Sequence, residues 1–126
     1  MTIPEMTSAA GTIIIGTVTQ ARGALDERGD PVTYTTFRVE QAIKGSPGAT
    51  FTIKQYGGIT PKVSMLINHM RYFRSGERVL VMLYPPSRLG FSSPVGLDQG
   101  AWSVDGGMVQ RVSDEALGGM SPTLKK

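Results

Sequence analysis

Cysteine is absent from the sequence, so disulfides, thiolate metal sites and cysteine nucleophiles are excluded and stability has to come from packing. His69 is the single histidine, which rules out a two-histidine metal site and leaves one candidate acid or base. It sits in a polar loop with no carboxylate that the sequence assigns to it as a partner, so a solvated or structural histidine is the better expectation. The patterns H-E-x-x-H, G-x-S-x-G, Walker A and G-x-G-x-x-G are all missing. The usual signatures of hydrolysis, phosphate cradling and dinucleotide binding are therefore lacking, and neither a catalytic residue, a metal nor a cofactor is expected. No window reaches the roughly 18 apolar residues needed to cross a bilayer, so membrane insertion is not expected. Residues 1–11 lack the basic start and apolar run of a signal peptide. The lone Asn68 is followed by His69 and Met70, which is no glycosylation acceptor.

A chain of 126 residues with 40% hydrophobic and 18% charged side chains is sized and composed for one hydrophobic core. Its 16 glycines and 8 prolines punctuate it often, which favours short strands and tight turns over long helices. The net charge of +3 is unevenly placed: residues 41–97 carry seven lysines and arginines against Glu77 alone. Such a basic middle attracts phosphates or an acidic partner surface, although long cations on a solvated surface are the commoner reading.

Residues 1–10 show no period and read as a flexible arm. Residues 12–20 (TIIIGTVTQ) are a β-branched strand with a bulge or a close backbone approach expected at Gly16. Residues 22–31 carry loop chemistry. Residues 32–43 alternate cleanly and pair with residues 50–56 across the Lys-Gly-Ser-Pro-Gly turn. Residues 59–76 fit helical and strand spacing equally well. Residues 77–84 (ERVLVMLY) form a central strand covered on both faces. Residues 97–104 and 108–112 flank Asp105-Gly106-Gly107 as a hairpin, followed by one helical turn at 113–117 and a flexible tail. The expected fold is all-β, a small antiparallel barrel of five to six strands of the oligonucleotide/oligosaccharide-binding (OB) type, with a β-sandwich as the alternative. One β domain, residues 11–113, lies between the arm and a terminal segment at 114–126. Its expected core is Ile13, Ile15, Val18, Phe37, Val39, Ile43, Phe51, Ile53, Val79, Val81, Leu83 and Trp102.

Five blocks carry a resemblance: Thr36-Phe37-Arg38-Val39-Glu40, Ile43-Lys44-Gly45, Gln55-Tyr56-Gly57-Gly58, the run from Phe73 to Val81 (FRSGERVLV), and the run from Val95 to Gly100 (VGLDQG). Over residues 11–104 their order and spacing resemble an uncharacterised family of small bacterial β domains, which usually follow export signals and in some cases sit beside metalloprotease-like segments. The family also resembles netrin and metalloproteinase-inhibitor modules, whose barrels are OB-like. The resemblance implies an extracytoplasmic accessory domain. The missing cysteines depart from the disulfide pattern of the animal modules, so their inhibitory function does not carry over.

These features rank a non-catalytic protein-interaction module first, presenting residues 22–31 and 59–76 or a sheet edge to a protein partner. The alternative is a barrel that binds an anionic oligomer, an oligonucleotide or acidic glycan, through Lys54, Tyr56, Gly57, Gly58, Arg71, Tyr72 and Arg74. A hydrolase built on His69 ranks third. Asp26, Glu27 and Asp30 suit a solubilising turn better than a cation site. An open edge would leave unpaired backbone groups, and homodimerisation is one way to cover them.

Overall fold

The computed structural model of the chain describes residues 2–104. The expected Asp-Gly-Gly hairpin, its second strand at 108–112, the helical turn at 113–117 and the tail lie outside the described residues.

The chain is all-β apart from one short helix, with its strands paired mostly antiparallel. The helix corrects the first expectation: α1 (Ile3–Ala9) occupies the stretch read as a flexible arm. Thr2 caps it, its hydroxyl accepting from the Glu5 amide while the Glu5 carboxylate accepts from the Thr2 amide, and Pro4 stands in the first turn. Seven residues of helix need tertiary support. Burial of Met6 and Ala10 supplies it, and Lys44 Nζ donates to the Thr7 carbonyl at 2.8 Å.

Two long strands follow, β1 (Thr12–Leu25) and β2 (Pro31–Lys44), and then β3 (Thr50–Tyr56). Two short strands, β4 (Gly58–Ile59) and β5 (Ser64–Met65), pair with each other in a separate ribbon. β6 (Arg78–Leu83) and β7 (Ala101–Ser103) complete the main sheet, whose order is β3-β2-β1-β6-β7. Residues 59–76 are therefore neither a helix nor one strand; they form the β4–β5 ribbon followed by turns and irregular chain. The β1–β2 register slips between Ile15 and Gly16 with the extra residue, Glu40, on β2, and Gly16 itself serves a close backbone approach: a side chain there would meet the Arg38 carbonyl oxygen at 2.7 Å. Two isolated bridges lie outside this order: Phe91 pairs with Lys54 of β3 in parallel, and Pro94 pairs with Leu83 of β6 antiparallel.

The sheet is covered on both faces where β1 and β6 meet, which explains why TIII and VLVML are continuously apolar. On one face Ile13, Ile15, Ile43, Leu80 and Met82 pack with Met6 of the helix. On the other, Ile14, Val18, Ile53, Val79, Val81 and Leu83 surround Phe37 and Phe73. Val39, Phe51 and Trp102, expected in the core, pack against these clusters while only partly buried. No helix among the described residues is long and apolar enough to cross a membrane.

Candidate functional site

β1 does not stop at Gln20. It continues to Leu25 because β2 pairs with it over its whole length, down to Leu25 opposite Pro31, which shrinks the expected loop at 22–31 to a tight turn. Asp26 closes that turn: its Oδ1 accepts from the amides of Arg28 at 3.0 Å and Asp30 at 2.9 Å.

Beyond the β3 end, Gly57 turns the chain at a φ of 88° and the β4–β5 ribbon lies back across the β1–β2 pair. The crossing is backbone on backbone. The Gly57 amide donates to the Pro31 carbonyl at 2.8 Å, and Thr33 Oγ1 donates to the Gly57 carbonyl at 2.8 Å. A side chain on Gly23 would lie 2.0 Å from the Ile59 carbonyl oxygen, and one on Gly58 would lie 2.2 Å from that of Val32. The following chain is pinned by the buried Gln55, whose Nε2 donates to the Arg71 carbonyl at 2.9 Å and whose Oε1 accepts from Thr35 at 3.3 Å. Tyr72 ties the same segment down, donating to the Tyr56 carbonyl at 2.5 Å and accepting from the Ile67 amide at 3.0 Å. Burial raises its phenol pKa, with the Ile67 amide opposing.

Between this segment and the far half of β1 lies a cleft of about 510 Å³. Ala21 and Gly23 line one wall, Ile59, Leu66 and Phe73 the other, and Arg74 stands at its rim. Ile59 and Leu66 remain 59% and 51% exposed, so apolar surface faces water at its mouth. The Arg74 guanidinium has no hydrogen bond or ion pair among the described residues; Arg74 contributes its amide instead, to Glu77 Oε1 at 2.6 Å.

The seven residues picked out as an anion site are divided. Lys54 is committed: its ammonium lies 3.0 Å from Asp26 Oδ2, off good hydrogen-bond geometry, and 4.4 Å from the Phe91 ring centre, with 11% of its side chain exposed and none of that of Asp26. Arg71 is committed too, gripping both Glu77 carboxylate oxygens at 2.7 and 3.3 Å. The Gly57 amide is engaged with Pro31, and Gly58 serves the strand crossing. Tyr56 tilts against Phe91 and borders a second, smaller cleft of about 330 Å³. Tyr72 and Arg74 line the larger one.

Sequence reasoning offered residues 22–31 and 59–76 as partner-facing segments, which contain Gly23, Ile59 and Leu66, but singled out none of these and left out Ala21, since none has a chemical signature of its own. His69 is exposed at a φ of 66°, with no bond to any described residue. Among the described residues no three acidic or histidine side chains converge to hold a metal, and Asp26, Glu27 and Asp30 are spent on Lys54, Arg28 and the turn amides. No protein-family model matches the chain, and no curated protein matches it.

The ion pairs set a pH dependence. The Arg71 guanidinium holds the Glu77 carboxyl below the usual range, and the Arg78 guanidinium does the same for Glu40, burial opposing in both. At Asp26 burial is the largest influence and pushes upward, but Lys54 and the turn amides together outweigh it and lower the pKa. Groups depressed on folding stabilise fully above their unfolded values and lose that contribution as pH falls through the folded ones. The thermal midpoint should stay level from about pH 8 to 5 and drop below about pH 4, and Glu77→Gln should lower the plateau and flatten the drop.

Proposed function

We propose that the chain is a non-catalytic protein-interaction domain that docks a partner in the cleft between the far half of β1 and residues 59–74. The observation that carries this reading is exposed apolar surface held in a fixed concave shape: Ile59 and Leu66 at the mouth, Phe73 behind them, all on a segment pinned by Gln55 and Tyr72. Loose surface chain would not keep those side chains in water; this chain is anchored at Gly57, Ile67 and Arg71 and keeps them there. We read the scaffold as an OB-type barrel, supported by the bridges from residues 91 and 94 to β3 and β6, which span the gap between those two strands.

The competing reading, a barrel for an anionic oligomer, is weakened by the commitment of Lys54 and Arg71 to carboxylates, which leaves Arg74 as the cation of that set whose guanidinium makes no hydrogen bond or ion pair among the described residues. The two differ in salt dependence, since phosphate or glycan binding should collapse with added salt and apolar docking should not.

The test compares Leu66→Asp with Leu89→Asp, both exposed leucines, the second on the loop after β6 and outside the lining of this cleft. A protein captured from the native source by the unaltered domain should be lost with Leu66→Asp and retained with Leu89→Asp, while both variants melt within about 2 °C of the parent, as surface substitutions do. Equal capture by the two variants contradicts the assignment of the cleft.

A further inference from the structure

β1 has fourteen residues, and β2 pairs with it throughout. On its other side β6 covers Thr12–Thr17, after which the chain at 75–77 finishes the coverage: Val18 N–H donates to the Glu77 carbonyl at 2.8 Å, Gly76 N–H to the Val18 carbonyl at 2.7 Å, and Ser75 Oγ to the Thr19 carbonyl at 3.1 Å. From Gln20 to Leu25 no described residue pairs with the outward backbone groups. In an antiparallel strand alternate residues direct both N–H and C=O to the same side, so this is about 20 Å of open edge.

Apart from the register slip between Val18 and Gln20 and the charge of Arg22, that edge lacks the features that usually keep strands from pairing. Residues 20–25 contain no proline and no acidic side chain. Their one charge, Arg22, alternates away from the face carrying Ala21 and Gly23 and lies over the Tyr34 ring at 4.8 Å. Ala21 and Gly23 are themselves the cleft wall, so the open edge and the cleft are one continuous surface.

We propose that the occupant is an extended segment of a partner protein that adds as a strand to β1 along residues 20–25, with an apolar side chain entering the cleft and an acidic one meeting Arg74. This rests on the interaction role proposed above and specifies its chemistry. Strand addition gains affinity from backbone bonds and specificity from alternate side chains. The charge follows from Arg74, a cleft-rim cation whose guanidinium makes no hydrogen bond or ion pair with a described residue and acts on Glu77 only at longer range, while Lys54, Arg71 and Arg78 are paired with carboxylates. A second copy would bring the same Arg74 and the same Arg22 of the strand edge to the interface, so a foreign acidic segment fits better.

The probes are three synthetic peptides of about eight residues alternating valine and threonine: one with a central glutamate, one with lysine there, and one glutamate peptide N-methylated at alternate amides. With the whole chain, the glutamate peptide should bind and slow exchange of the outward amides of residues 20–25 by NMR. The lysine peptide should bind about tenfold more weakly or less, Arg74→Ala should erase that difference, and N-methylation should abolish binding. Binding that survives N-methylation, with no slowing at 20–25, overturns strand addition but leaves the cleft reading intact. Slowing at the same amides without peptide, rising with protein concentration, identifies a second copy and overturns it as well. Failure of every peptide while Leu66→Asp still abolishes partner capture also overturns it.

Discussion

Phe37→Ala should remove about 3–5 kcal/mol of folding stability, the range for emptying a fully buried aromatic site. Phe37 has no exposed surface and sits among Ile14, Val18, Ile53, Val79 and Val81. Its ring meets Phe73 edge to face, with centroids 5.4 Å apart and planes at 76°. Domains of ordinary stability hold about 5–15 kcal/mol, so the variant should be marginal. Urea denaturation should show the midpoint falling with an unchanged slope. The consequence also reaches the surface, because Phe73 forms the back of the cleft and carries the Arg71 guanidinium 4.9 Å above its ring. Phe37→Leu, which refills most of the volume, should recover much of the loss. A drop under about 1 kcal/mol in Phe37→Ala would mean that the two clusters do not depend on this ring.

The second large effect is expected at Gly23→Ala. An added methyl would sit 2.0 Å from the Ile59 carbonyl oxygen and 2.7 Å from its carbonyl carbon, both backbone atoms that no rotamer change moves. Contact distances near 3.5 Å require β4 to retreat by more than about 1 Å. β4 is fixed at its start by the Gly57 bonds to Pro31 and Thr33, so the strain enters the crossing itself and should cost about 1–3 kcal/mol. Because Gly23 and Ile59 touch where both line the cleft, partner binding should fall about tenfold or more, beyond what the stability loss explains. Gly29→Ala is the control: Gly29 has open space around it but a φ of 79°, so it should cost about 1 kcal/mol or more through the backbone with no change in binding. Unchanged stability and binding in Gly23→Ala would show that β4 does not lie on β1.

Much of the sheet could be read directly from alternation. β3 begins and ends at the expected residues, and β2 and β6 fall within a residue of theirs at each end. The misses have identifiable physical causes. The second half of β1, Gln-Ala-Arg-Gly-Ala-Leu, has no alternation and a glycine in its middle; it is extended because β2 pairs with it, and long-range pairing overrides local preference. α1 had a legible signal in Thr2, Pro4 and Glu5, the spacing of a capping box, but its stability comes from burying Met6 against residues remote in sequence. The candidate anion site looked basic because cations were counted without their partners. Lys54 meets Asp26 across 28 positions of sequence, and Arg71 meets Glu77 only once the turn at 74–77 has formed. The cleft residues carry no chemistry of their own; what distinguishes them is where the β4–β5 ribbon crosses, and no spacing rule encodes that.

The central claim is that a partner protein seats itself beside Leu66 and the far half of β1. Photo-crosslinking from a benzophenone side chain placed at position 66, with position 89 as the matched exposed control, tests it most directly. Adducts to one protein from position 66, absent from 89 and suppressed by Gly23→Ala, are the result this account predicts. Equal labelling from both positions, or adducts from 89 alone, would contradict it.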